Sequence, residues 1–540
     1  MLTVVFLISL IAFAAAYVVY GGYLVRFFGV DDARPTPSHA EYDGVDRVPA
    51  NRAVLLGHHF SSIAGAGPIV GPIIAGAAFG WLPALLWVVA GSILVGGVHD
   101  FAALFVSIRH RARSIAGIAE CYMSPLAYKL FLSFIWLTLV YVLIVFTDLT
   151  AAAYASDGGV ASSSLIFIAL AIGFGLCVYR ARLTVAFSSI LFVPLVFLAV
   201  WAGQAAPIRA ETVRSLTGLD PVKAWDIVLV AYCFVASTTP VWILLQPRDY
   251  LSSYLLYASV LGGIAGIALG GFPASYPAFA VWSAPGLGGL FPVLFITIAC
   301  GACSGFHAVV ASGTSSKQID READAKLVGY GAMLIEGVVA VIALATVIIL
   351  AKGDALAERP PIEIYAAGIG RFLAILGVPQ DIGRSFGLLA LSSFILTTLD
   401  TATRLARYIL EEFLGITGPK ARYWSTLATL LLPAIFVLVT LRDARGEAVP
   451  AWKAVWPAFG ASNQLLAALT LLVITLWLKK GGKRTAIVLA PMAFMIVMTV
   501  WALALLVARH GPSPIGAIAA LLVVMALLLV WETVRALRAR

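Results

Sequence analysis

The sequence predicts an all-α polytopic membrane protein of about fifteen transmembrane helices around a core of two inverted five-helix repeats. Three observations carry that prediction. Apolar runs long enough to cross a bilayer recur from end to end of the 540 residues. Basic residues gather in alternate loops. Two of the apolar runs are interrupted by helix-breaking residues, at Gly57–Pro72 and at Ala236–Pro240. Lipid cannot hydrogen-bond the backbone groups that a break frees, so a break must line a protein cavity or a ligand. Paired breaks in the two halves of a chain point to the binding site of a secondary transporter.

Composition excludes several classes. With 61% hydrophobic and 12% charged residues, the chain lacks the polar surface that a separate soluble domain needs. The longest polar stretches, 30–52 and 351–384, are loop-sized. The net charge of +9 follows from membrane orientation and implies no nucleic acid partner. The five cysteines give no disulfide framework; Cys300 and Cys303 sit within an apolar run and read as small packing residues rather than a redox or metal pair. The first apolar segment lacks a basic leading region and reads as a retained helix. No H-E-x-x-H motif or nucleophile elbow is present, so the chain is not expected to be an enzyme.

By apolar length the spans run over residues 3–25, 53–78, 82–108, 130–155, 163–179, 184–203, 226–245, 252–271, 289–311, 327–351, 385–404, 423–441, 455–478, 485–508 and 514–534. A further interfacial or re-entrant helix is expected at 362–376. Loop charges support this order. Arg109, Arg111, Arg113 and Lys129 share one loop, and Arg180 and Arg182 fall two loops later. On the same side follow Arg248, then Lys317, Arg321 and Lys326, then Arg404, Arg407, Lys420 and Arg422. The series ends with Lys479, Lys480, Lys483 and Arg484 and the tail Arg535, Arg538 and Arg540. The positive-inside rule then places the N-terminus outside and the C-terminus in the cytoplasm.

The broken spans, second and seventh, are five apart and opposite in direction, as the first helices of two inverted repeats should be. The expected organisation is a peripheral helix and cytoplasmic loop (1–52), a first repeat (53–203), an external loop (204–225), a second repeat (226–422) and peripheral C-terminal helices (423–540). Spans two, three, seven and eight would rock against four, five, nine and ten around a midplane site.

Ionisable groups at membrane depth are costly and mark candidate functional positions. His58, His59, Asp100, His307, Glu336 and Asp400 fall in the inner half of their spans, with His99 beside Asp100. Histidine titrates near neutrality, which suits proton coupling. The expected relay is His58 or His59 with Asp100. His307, Glu336 and Asp400 are coupling candidates that also suit a structural role, as anchors for Arg or backbone partners. Asp148 stands apart in the outer half of span four and receives no role. A metal held by His58, His59 and Asp100 is disfavoured, because neighbouring helix positions point about 100° apart. Half-helix N-termini at the breaks suit a carboxylate. Gly65, Ala66 and Gly67, then Ser237, Thr238 and Thr239, then Ser304, are therefore the expected substrate contacts. No cofactor is expected. The coupling ion is H⁺, with Na⁺ on freed carbonyls near Ala64 and Gly67 and on Ser304 or Ser312 as the alternative.

Several motifs carry a family resemblance. They are Gly57-His58-His59-Phe60 with Gly65-Ala66-Gly67-Pro68, Val98-His99-Asp100-Phe101, Pro240-Val241-Trp242-Ile243-Leu244 and Pro247-Arg248-Asp249-Tyr250-Leu251. They continue through Phe295–Ala302, Ser304–His307, Ser312-Gly313-Thr314, Gly329–Leu334, Thr398-Leu399-Asp400, Trp456-Pro457 and Ser462–Ala467. In this order, over about residues 50–470, they resemble the carbon starvation protein A (CstA) family. The resemblance implies a cytoplasmic-membrane importer used when carbon runs short. Members are associated with proton-coupled uptake of pyruvate and with uptake of peptides. It also implies the LeuT-type core of the amino acid–polyamine–organocation superfamily. The compact stretch 351–384 stands where larger members carry a long insertion.

Overall fold

The computed structural model describes residues 1–538 except 45–46, 241–242, 417, 419, 443–445 and 512. Arg540 of the basic tail therefore lies outside the described residues, as do Val241 and Trp242 of the expected seventh span.

The apolar runs become helices because a helix satisfies every backbone group within its own segment. Helix α1 covers Leu2–Phe28 and stops at Gly29, which takes the left-handed conformation at φ 72°. The second span is two helices, α2 (Arg52–Ile63) and α3 (Gly67–Phe79), bent by 49°. The cause is local: Pro68 has no N–H to donate and its ring clashes with the carbonyl four residues back. Helices α4 (Trp81–Arg109), α5 (Pro125–Ser156), α6 (Gly158–Arg180) and α7 (Val185–Ala205) follow, then α8 (Pro221–Thr238) and α9 (Leu245–Leu269). Ser124, Asp157, Thr184 and Asp220 each accept a hydrogen bond from a first-turn N–H, which fixes where α5 to α8 begin.

The ninth span is again two pieces, α10 (Leu290–Thr297) and α11 (Gly305–Gly313). Beyond it lie α12 (Lys326–Ile348), the buried α13 (Pro361–Ala374) and α14 (Gln380–Leu414). The chain ends with α15 (Ala421–Leu438), α16 (Ala451–Lys480), α17 (Ala486–His510) and α18 (Pro514–Arg538). Among the described residues twelve helices are long and apolar enough to cross a membrane, thirteen with the bent pair; α10/α11 and α18 fill the two remaining expected positions. The short helix α13 stands where the extra segment was expected.

One expectation is corrected. Ala236–Pro240 is not a break, because α8 runs unbroken to Thr238, Thr239 caps it, and the chain turns into α9 at Leu245. Pro240 ends the helix by holding Thr239 extended, with ψ at 148°. The second break is Ile298–Ser304 in the ninth span, an odd number of crossings after the first, so the two broken spans run in opposite directions.

The breaks meet. A Cβ on Gly67 would stand 2.4 Å from Cβ and Sγ of Cys300, and one on Gly71 would stand 2.4 Å from the carbonyl oxygen of Thr297. Only glycine admits that approach. Around this crossing α3 lies along α12, and α5 lies along both α14 and α16. Helix α9 packs on α14 and α2 as α16 packs on α5 and α11, and α8 packs on α15. Helices α6 and α7 form a hairpin touching α9 and α14. The helices along the crossing are locally widened in the same way: α4 opens into a π-turn at Ser92–Gly96 and α12 at Lys326–Gly331. Asp100 and Glu336 each follow that turn closely on their own helix. Single π-turns of this kind are frequent at functional sites.

Candidate functional site

The freed backbone of the second break is satisfied from α16. Asn463 Oδ1 accepts from the Phe306 N–H at 2.9 Å, and its Nδ2 donates to Ser304 Oγ at 3.0 Å and reaches Cys300 Sγ at 3.2 Å. Gln464 Nε2 donates to the Phe295 carbonyl, and Ser92 Oγ donates to the Gly301 carbonyl at 3.0 Å. At the first break Thr398 Oγ1 donates to the Ser62 carbonyl at 3.4 Å. Gly65, Ala66 and Gly67 occupy this first break and Ser304 caps α11 at the second, so these expected contacts share one crossing.

Beside the crossing lies a fully buried ionic chain. Asp100 from α4 accepts from His99 Nδ1 on one oxygen and from His307 Nδ1 on the other, both at 2.7 Å. The far nitrogen of His307, from α11, lies 3.1 Å from a carboxylate oxygen of Glu336 on α12. Bases and acids therefore alternate as His99–Asp100–His307–Glu336; the His307–Glu336 approach falls short of hydrogen-bond geometry, so His307 Nε2 and both Glu336 oxygens, like His99 Nε2 at the other end, have no hydrogen-bond partner. The groups paired with Asp100 are His99 and His307, not His58 or His59. His59 Nδ1 lies 2.8 Å from Ser315 Oγ, and His58 Nδ1 lies 3.7 Å from an Asp249 oxygen. The two neighbours diverge as their angular separation requires. Among the described residues no group of three or more His, Cys, Asp or Glu is disposed to hold a metal ion.

A second buried cluster joins α8, α9, α14 and α2. Arg248 on α9 is 0% exposed and donates through Nη1 to Asp400 of α14. Tyr232 of α8 donates to the same Asp400 oxygen at 2.9 Å. Arg248 Nη2 reaches Asp249 at 3.4 Å, and Asp249 faces His58, whose side chain is 24% exposed. Arg248 was expected in a cytoplasmic loop. Its burial is sustained by two carboxylates and a phenol, and a count of loop charges cannot detect partners. Arg248, Asp249 and Tyr232 are thus site residues that charge counting missed, although the first two lie in the quoted motif Pro247–Leu251.

Ser237, Thr238 and Thr239 stand at the end of α8, away from both breaks. The carbonyls of Ala236 and Thr239 accept from Arg404 Nη2 at 2.8 and 2.7 Å, and that of Ser237 accepts from Arg407 Nη1 at 3.0 Å. The Asp148 carboxylate accepts from the Trp452 N–H at 2.8 Å, in the first turn of α16 where helix N–H groups lack intrahelical partners. Ser312 accepts from the Ile115 N–H and donates to the Ala308 carbonyl, and Ser304 is held by Asn463, so both hydroxyls offered for Na⁺ are engaged within the protein.

The family model for carbon starvation protein CstA matches residues 1–361 and 350–502. The chain is 33% identical over 570 residues to the Peptide transporter CstA of Escherichia coli, covering 92% of this chain and 79% of that one. It is 31% identical over 595 residues to the Pyruvate/proton symporter BtsT of the same organism, covering 94% and 82%. The crystal structure of MhsT in complex with L-phenylalanine aligns over 90% of this chain and 99% of its own with a TM-score of 0.50 at 14% identity, a likeness of fold. The LeuT-type core that the resemblance implied is the fold observed. This chain belongs to the carbon starvation protein CstA family and is a multi-pass membrane transporter.

Proposed function

We propose that this protein is a proton symporter of the cytoplasmic membrane that imports a small carboxylate metabolite, pyruvate first, when carbon runs short. The single observation that carries the reading is the buried His99–Asp100–His307–Glu336 chain beside the two crossed breaks. Alternating imidazoles and carboxylates pass a proton by exchanging N–H···O bonds, and imidazole changes charge within the working pH range. The unpartnered ends, His99 Nε2 and Glu336 Oε1, are where a proton enters and leaves. The N-termini of α3 and α11 aim their positive ends at the crossing, where Gly65, Ala66, Gly67 and Ser304 face a substrate carboxylate. A proton on the chain favours one orientation of the broken helices, and coupling follows from the different substrate affinities of the two orientations.

The repeats divide differently from 53–203 and 226–422. The first comprises α2/α3, α4, α5, α8 and α9, with the α6–α7 hairpin inserted; the second comprises α10/α11, α12, α14, α15 and α16. The matched breaks, π-turns and packing partners support this division. The moving bundle is then α2/α3, α4, α10/α11 and α12, and the scaffold is α5, α8, α14 and α15. The N-terminus lies outside and the C-terminus in the cytoplasm, as the loop charges require.

A peptide or amino acid is the second reading, favoured by the name of the Escherichia coli relative at 33% identity. Both readings meet one test in proteoliposomes: uptake of labelled pyruvate under an inward proton gradient, with a labelled dipeptide in parallel and a sodium gradient at fixed pH as a third arm. Pyruvate accumulation driven by protons alone is expected. Dipeptide accumulation without pyruvate uptake would replace the substrate, and sodium-driven accumulation would replace the ion.

A further inference from the structure

A cavity of about 470 Å³ opens between the end of α8, the last turns of α14 and the start of α15, apart from both ionic clusters. Thr239, Arg404, Arg407, Glu411 and Arg422 are among its lining residues. It is a built site. Arg404 and Arg407 donate to the last carbonyls of α8, which have no partner within the helix, and these bonds fix both guanidinium heads in the wall. The Arg407 side chain is only 6% exposed, yet its Nε has no hydrogen-bond partner, and neither does Nε of Arg404. Glu411 is the one acid among the described lining residues; it stands 3.8 Å from Arg407 Nε without a hydrogen bond. Three guanidiniums against one carboxylate leave two positive charges around the cavity. The first turn of α15, an 18-residue helix, adds Ala421 and Arg422 and the positive end of its dipole.

We propose that this cavity binds a phosphate-bearing anion, either the headgroup of an anionic phospholipid or a free phosphate. Guanidinium forks match phosphate oxygens two at a time, and three of them offer more donors than a single carboxylate accepts. Basic pockets between membrane helices on the cytoplasmic side suit such headgroups, and the loop charges assign this end of α14 to that side. The bound anion ties α8, α14 and α15 together. Arg404 lies one turn from Asp400 on the same helix, so the anion also braces the helix that pairs with Arg248.

The test uses the full-length protein. Thermal unfolding is followed in detergent with inorganic phosphate, and in nanodiscs of phosphatidylcholine with and without phosphatidylglycerol. The midpoint is expected to rise by about 2–4 °C with one probe or both. A rise with lipid alone identifies a headgroup; a rise with phosphate as well identifies a soluble anion. The rise should vanish in Arg407→Gln and in Arg422→Glu, and persist in Arg359→Glu, an exposed arginine outside the lining. Arg422 is itself exposed, so its variant carries the test if Arg407→Gln does not fold. The site is overturned if neither probe shifts the midpoint, if Arg422→Glu shifts like the parent, or if Arg359→Glu loses the shift equally.

Discussion

Two buried ionic clusters share one low-dielectric core but are made of different groups. The cluster of Arg248, Asp249, Asp400 and Tyr232 is organised around a guanidinium that keeps its charge at any working pH. The chain of His99, Asp100, His307 and Glu336 contains no permanent charge. A permanent charge in lipid-like surroundings must be matched by a counter-charge and fixes the helices that supply it. A set of groups that holds no fixed charge leaves its helices free to change partners. The contrast suits the first cluster to holding α9, α14 and α8 together, and the second to the coupling proposed for it.

The largest expected effect breaks the first cluster. Arg248→Met leaves Asp400 and Asp249 buried without their cation and should cost about 3–5 kcal/mol of stability. Thermal unfolding in detergent measures it, and Arg248→Met with Asp400→Leu should recover part of the loss. A single variant as stable as the parent would remove the distinction between the clusters. Next in size is Asp100→Asn, which keeps the shape of the side chain but cannot carry a proton between His99 and His307. Gradient-driven uptake should fall at least about tenfold, equivalent to ~1.4 kcal/mol, while substrate exchange without a gradient persists. Undiminished accumulation in Asp100→Asn would place coupling elsewhere.

Much of this architecture is legible in the sequence, because apolar length is a strong signal and lipid permits few alternatives to a helix. The first break is legible too, since Gly65-Ala66-Gly67-Pro68 removes both the donor and the side chains that a continuous helix uses. The second break is hidden. Cys300-Gly301-Ala302-Cys303-Ser304-Gly305 has no proline, and a run of small residues reads equally as tight helix packing. Ser237-Thr238-Thr239-Pro240 looks more like a break than the real one, because a proline that ends a helix and a proline that interrupts one follow the same local rule. The candidate site was half visible. Asp100, His307 and Glu336 stood out as charges at depth, but which imidazole meets which carboxylate depends on how α4, α11 and α12 pack. Asn463 and Gln464 carried no charge to draw notice, and only the backbone they serve explains them.

A smaller effect tests whether a buried acid outside both clusters must belong to either. Asp148 meets neither and faces the first turn of α16. Asp148→Asn should lower stability by about 0.5–1 kcal/mol through the lost charge–dipole attraction and leave proton-driven uptake unchanged. A loss of coupling in that variant would enlarge the proton path to the first turn of α16.

The smallest effect separates titration that alters stability from titration that drives transport. His110 follows the end of α4, the helix that carries Asp100. Its Nδ1 donates to the Val106 carbonyl at 2.7 Å and its Nε2 lies 2.9 Å from the Tyr122 hydroxyl, an arrangement complete with a neutral ring. Burial holds its pKa below the ordinary histidine value, partly offset by the bond to Val106. A histidine whose folded pKa is depressed binds its proton more readily when unfolded. Its contribution to stability is therefore present above the unfolded pKa and is lost as the pH falls through that value toward the folded one. Thermal midpoints should decline on acidification, and His110→Gln should flatten that decline slightly, while the pH dependence of uptake stays with the Asp100 chain. If His110→Gln instead shifted the pH dependence of uptake, the proton path would extend to the Arg109 end of α4, and the two kinds of titration would be one.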